Sequence, residues 1–99
     1  MLVHTVYFYF KEGVSDAEIA ANIEGAKALG SVETVHALYV GTQADVEERP
    51  VTVRGWGFSM TALFESIEDQ NTYQVHAKHD EYIANFKDLW EKVQVFDAN

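Results

Sequence analysis

The sequence predicts an α+β fold: a ferredoxin-like β-α-β-β-α-β unit whose four-stranded antiparallel sheet carries its helices on one face. Three observations support that class. Four segments rich in β-branched and aromatic residues, at positions 2–10, 34–41, 51–64 and 93–96, read as strands. Two helical stretches, each opened by a capping signal, fall between the first and second strands and between the third and fourth. No internal repeat disturbs this order.

The first strand, Leu2 to Phe10, alternates His4, Val6, Phe8 and Phe10 with Val3, Thr5, Tyr7 and Tyr9. It is apolar on both faces and needs cover on both. Lys11-Glu12-Gly13 forms a turn, and Ser15 with Glu18 makes a capping box that opens a helix from Asp16 to Leu29, terminated by Gly30. Ala20, Ala21, Gly25, Ala26 and Ala28 supply little bulk along that helix. Thr34 to Gly41 is the second strand, Thr42 to Pro50 a polar loop, and Val51 to Phe64 a long third strand. Its Gly55 and Gly57 mark a bulge or a close approach of backbone. The second and third strands are expected to pair as a hairpin across the acidic loop. Ser66 and Asp69 open the second helical stretch, which breaks and restarts near His76 and runs to about Glu91, before Val93 to Phe96 closes the sheet. With both helices on one side, the face carrying Tyr7 and Tyr9 is left as an apolar patch. A homodimer packed sheet against sheet is the expected remedy. The expected core contains Val6, Phe8, Ile19, Ile23, Phe64, Ile83, Phe86, Leu89 and Trp90.

A hydrophobic content of 47% in 99 residues sustains a single domain, residues 1–99, with one core. No stretch reaches the roughly 20 apolar residues of a membrane span. Sixteen acidic against seven basic residues give a formal charge of −9. That charge repels phosphate backbones and anionic lipid, so neither a nucleic acid nor a membrane is an expected partner. A start without a basic, small-residue-terminated leader, together with the lack of cysteine, makes the cytoplasm the expected location.

The most informative stretch is Tyr73-Gln-Val-His76-Ala-Lys-His79. At about 100° per residue, His79 shares one half of the helical wheel with Tyr82, Ile83, Phe86, Leu89, Trp90 and Val93. Asp80, Glu81, Ala84, Asn85, Lys87, Asp88, Glu91 and Lys92 take the other half. An imidazole inside an apolar stripe is costly to desolvate unless it has a partner or a task. It is either a neutral core histidine bonded to a carbonyl or hydroxyl, or a functional histidine facing a pocket. His4 lies on the helix-facing side of the first strand with Val6 and Phe8, so packing brings His4 and His79 together. Such an imidazole pair resists double protonation, and at least one should titrate below about 6.5. His76 reads as a helix-start or interface residue, and His36 as a half-exposed strand residue. His76 and His79 offer two imidazoles three residues apart, but no third ligand is evident and no metal is expected. Tyr7, Tyr9, Trp56, Phe58 and Tyr82 match no cofactor fingerprint. With no glycine-rich phosphate loop or Gly-x-Ser-x-Gly elbow either, no cofactor is expected.

Taken together, Val3-His4-Thr-Val6-Tyr-Phe8, Phe64-Glu-Ser66, Tyr73-x-x-His76-x-x-His79 and Leu89-Trp90-Glu-Lys-Val-x-Val-Phe96-Asp97 resemble the stress-responsive dimeric α/β-barrel (Dabb) family over nearly the whole chain. The resemblance implies a ferredoxin-like protomer and two protomers joining their sheets into a dimeric α/β barrel. A plant polyketide cyclase of the family uses a tyrosine and a histidine as an acid/base pair in a cofactor-free intramolecular aldol condensation. Carried over by motif position, that pair is Tyr73 and His79, with His4 lining the same cavity. Val6, Phe8 and Trp90 complete the expected ligand-binding set. The family pattern has proline directly after the first histidine of the motif; Ala77 stands there in this chain, which predicts a softer break between the two helical segments.

The leading functional expectation is a homodimer that binds a small organic ligand in a pocket between helices and sheet. A second makes the pocket a cofactor-independent cyclase or lyase, in which the tyrosine polarises a carbonyl while His79 moves a proton, in aldol-type chemistry on a polyketide-like or aromatic compound. A cofactor-free monooxygenase on the same barrel is a more distant enzymatic alternative, and a purely structural dimer without ligand is the third.

Overall fold

Leu2–Phe10, apolar on both of its alternating faces, takes an inner position in the sheet as strand β1. In the computed structural model, which describes residues Met1–Asn99, β1 is followed by α1 (Asp16–Ala28), β2 (Ala37–Gly41), β3 (Phe58–Phe64), α2 (Ile67–Gln74), α3 (Ala77–Phe86) and β4 (Trp90–Ala98). Short 3-10 turns occupy Leu29–Ser31 and Lys87–Leu89. The four strands run in the order β2-β3-β1-β4, every neighbouring pair antiparallel, which is the ferredoxin-like topology.

Register decides what meets what. Val6 pairs with Met60 of β3 and Val95 of β4, Phe8 with Phe58 and Val93, and His4 with Ala62 and Asp97. The face bearing these residues takes the helices. Leu2, His4, Val6 and Phe8 are buried against Phe58, Met60, Ala62 and Phe64 on the sheet, and against Asn22, Ala26, Leu29, Tyr73 and Tyr82 above it. The Phe8 and Phe58 rings stack with centroids 4.3 Å apart. Small residues on α1 allow close helix packing: a Cβ on Gly25 would come within 2.5 Å of the Phe86 ring. The helix starts are closed as their sequences predict. Ser15 Oγ accepts the Glu18 N–H while a Glu18 carboxylate oxygen accepts the Ser15 N–H, and Ser66 Oγ accepts the Asp69 N–H.

Several boundaries differ from expectation. Val51 to Gly57 is not strand, because β2 is short and pairs only with Ser59 to Leu63. Gly55 at φ 91° turns the chain, and the Trp56 indole N–H donates back to the Val53 carbonyl at 3.0 Å. Gly57 makes the close approach. Its N–H donates to the Phe8 carbonyl at 2.7 Å, and a Cβ there would strike the Phe10 ring. β2 begins at Ala37, with His36 exposed just outside it, 3.6 Å from a Glu65 carboxylate oxygen. α1 ends one residue early because Leu29, Gly30 and Ser31 tighten into a 3-10 turn. The last helix stops at Phe86, and Trp90 opens β4 rather than ending a helix. There the Leu89 carbonyl accepts the Lys11 N–H at 2.9 Å and ties the chain to the end of β1.

The expected core is right at Val6, Phe8 and Phe64. Ile23, Ile83, Phe86 and Trp90 are half-buried and pack around it, while Ile19 and Leu89 are half-buried outside it. Phe64→Ala, at a fully buried site, should cost about 3–5 kcal/mol in denaturant unfolding at fixed protein concentration, and Phe86→Ala distinctly less. A larger loss at Phe86 than at Phe64 would show that the core is centred elsewhere.

Candidate functional site

The helix layer lies over β1 and β3 and leaves the inward side chains of β4 partly open: Val93 is 40% and Val95 50% exposed. Beside them a cavity of about 220 Å³ opens between the helices and the sheet. His4, Val6 and Phe8 of β1, Tyr73 of α2, His79 of α3 and Trp90 of β4 all line it, together with Asp97 and Tyr82. Every site residue marked in the sequence therefore faces one space. The aligned rows of the sheet divide it. His4 and Asp97 lie at one end, and Phe8, Val93 and Trp90 toward the other, four residues and roughly 13 Å along β1.

The polar end is built around the Tyr73 ring. The Tyr73 ring stands 6.3 Å from His4, 5.1 Å from Phe64 and 4.8 Å from His79, centroid to centroid. His4 Nδ1 donates to the Asp97 carboxylate at 2.5 Å; a carboxylate only accepts, so the proton belongs on that nitrogen. In the neutral ring this leaves Nε2 as an acceptor.

Only four side-chain polar atoms in the molecule are both buried and without a partner, and two of them, the Tyr73 hydroxyl and His79 Nδ1, belong to this cavity. An orphaned buried polar group costs about 1–3 kcal/mol, which marks these two as exceptions needing a reason. Burial pushes the Tyr73 hydroxyl well above its usual range, so it is a donor at all ordinary pH. Burial also pushes His79 below its ordinary value, against an upward pull from Asp80 and with a further downward push from His4. The cavity thus sets a protonated phenol beside a neutral imidazole.

His76 is committed elsewhere. As N-cap of α3 its Nδ1 accepts the Lys78 N–H at 3.1 Å, and its Nε2 lies 3.3 Å from a Glu33 carboxylate oxygen. This cap also explains the break after α2. Val75 leaves the helix at φ −108° and ψ 5°, and Ala77 takes the first helical position, where proline is merely favoured, so the break persists without it. No group of three His, Asp or Glu side chains is placed to hold a metal ion.

Sequence reasoning missed Asp97 and Asn22. Asp97 was detectable as the polar member of the alternation Val93, Val95, Asp97, and Asn22 as the one amide in the stripe Asn22, Ala26, Leu29 of the first helix. Asn22 is fully buried. It accepts the Trp90 indole N–H on Oδ1 and donates from Nδ2 to the Tyr82 hydroxyl, both at 2.7 Å.

Among solved structures, the chain is similar to the Arabidopsis thaliana protein At3g17210, at 28% identity and a TM-score of 0.82, covering all of this chain and 94% of that one. A dimeric ferredoxin-like protein of unknown function from Thermobifida fusca aligns at 13% identity and a TM-score of 0.82, over 98% of this chain and 88% of the other. The hydroxynitrile lyase of Passiflora edulis aligns at 21% identity and a TM-score of 0.80, over 98% and 90%. The last two share the fold alone. No curated protein matches the sequence. The family model of the stress-responsive A/B barrel domain, Dabb, matches residues 2–99, and the chain belongs to that family.

Proposed function

We propose that this chain forms a homodimer and binds a small organic carbonyl compound in the cavity between its helices and sheet. The observation that carries this reading is the pair of unpartnered buried groups, the Tyr73 hydroxyl and His79 Nδ1, on two cavity-lining residues whose ring centroids lie 4.8 Å apart. A ligand oxygen bonded to them would supply the partner that folding leaves out. A dry cavity of roughly 150 Å³ accepts benzene; one of about 220 Å³ suits a ring with a few substituent atoms.

The second reading is a cofactor-independent aldol-type enzyme, favoured by the opposed protonation states of the two groups. Neutral His79 removes a proton from the carbon next to a carbonyl, and the Tyr73 hydroxyl donates to that carbonyl oxygen as charge gathers on it. The resulting enolate carbon attacks a second carbonyl, a carbon–carbon bond forms, and the new alkoxide takes up the proton. Run backwards, the same steps describe a lyase. The His4–Asp97 pair lines the same cavity.

The probe is 1-phenylbutane-1,3-dione, a ring carrying two carbonyls. Wild-type protein should bind it in an NMR titration, and Tyr73→Phe and His79→Ala should each weaken binding about fivefold, as expected for one lost hydrogen bond. Catalysed exchange of its α-protons for deuterium, absent in His79→Ala, would establish the enzyme reading. Binding without exchange leaves the binding protein, and no binding removes both.

Dimerisation follows from the opposite sheet face. Tyr7 meets Trp56 and Phe96 at 5.1 and 6.3 Å between centroids, and Phe96 and Tyr39 are 58% and 65% exposed, an apolar surface that water disfavours. Sedimentation at micromolar concentration should give a dimer for wild type and a monomer for the double variant Tyr7→Lys, Phe96→Lys. A wild-type monomer would contradict this.

A further inference from the structure

At the end of the cavity away from His4 and Asp97, three polar side chains from three elements meet: Asn22 of α1, Tyr82 of α3 and Trp90 of β4. The direction of their hydrogen bonds follows from chemistry alone. An indole N–H only donates, so the Asn22 atom 2.7 Å from Trp90 Nε1 must be the amide oxygen. The amide nitrogen, which only donates, then faces the Tyr82 hydroxyl at 2.7 Å. Tyr82 oxygen is therefore the acceptor in that bond, and its own proton is left over. No protein atom receives it. Tyr82 is 4% exposed, its ring packed between Phe8, Phe86 and Trp90, and it lines the ligand cavity.

We propose that the Tyr82 hydroxyl is a second ligand anchor and a specificity determinant: held as a donor by the Trp90–Asn22 relay, it selects ring-bearing carbonyl compounds with a second, acceptor oxygen at the end remote from the carbonyl. The proposal rests on the reading of this cavity as a ligand site. It also accounts for a buried asparagine. In an apolar contact between α1 and α3 an aliphatic residue would serve, whereas the amide, with its acceptor end occupied by an indole, fixes which way the phenol proton is offered. The competing destination for that proton is the cleft between α1 and α3, about 260 Å³, which Tyr82 also borders.

Two aldehydes differing by one atom test the anchor: 4-methoxybenzaldehyde, whose ether oxygen accepts, and 4-ethylbenzaldehyde, where a methylene replaces it. The measured quantity is the ratio of their dissociation constants by NMR titration, which cancels changes in pocket shape. Tyr82→Phe should shift that ratio about fivefold against the methoxy compound, while circular dichroism shows the fold retained. Asn22→Asp offers only acceptors when ionised, takes the Tyr82 proton for itself, and should shift the ratio the same way although Asn22 does not line the cavity. An unchanged ratio in Tyr82→Phe overturns the anchor and assigns the proton to the cleft, while both aldehydes still bind. Failure of both to bind wild-type protein removes the cavity reading and the anchor together.

Discussion

The molecule is shaped by a mismatch of widths: a sheet of four strands is broader than the helix layer that covers it. The helices lie on β1 and β3, where Phe8, Phe58 and Phe64 form a dry core, and over β4 the layer runs out. Val93 and Val95, which pair with Phe8 and Val6, keep much of their surface free as a result. The space left is the cavity. Because antiparallel register sets His4 opposite Asp97 at the same edge, the gap in the cover falls where the first strand carries its one inward histidine.

Within that space two kinds of buried polar group are treated differently. Asn22 is saturated on its acceptor and one donor, and it ties α1, α3 and β4 into one unit; a satisfied network of this kind rigidifies the packing around it. Tyr73 and His79 are left unsatisfied beside each other, at a cost in stability comparable to one or two hydrogen bonds apiece. A small domain has little stability to lose, and such groups persist where function uses them. The satisfied end therefore frames the unsatisfied one.

Much of this was legible in the chain. The two-faced apolar character of Leu2 to Phe10 implied an inner strand, the capping signals at Ser15 and Ser66 marked both helix starts, and the wheel through His79 separated its buried neighbours from the exposed Asp80, Glu81, Ala84 and Asn85. The wheel failed past Phe86. Leu89, Trp90 and Val93 continue a helical stripe by number, yet Trp90 and Val93 are strand residues, because a short apolar run satisfies either period and only tertiary pairing with β1 decides between them. Val51 and Val53 misled for the same reason: strand propensity without a partner strand leaves them exposed. Asp97 and Asn22 were hidden by register and by helix docking, since each acquires meaning only from residues sixty or more positions away in the chain.

Burial beside Tyr73 and His4 favours the neutral His79 imidazole and leaves its Nδ1 uncommitted. Nitrogen-15 NMR of the His79 ring across a pH titration measures both properties at once. The midpoint should lie below the ordinary value of about 6.5, and Nδ1 should show no hydrogen bond to the protein. A midpoint at or above that value, or an Nδ1–H protected by a protein acceptor, would contradict it.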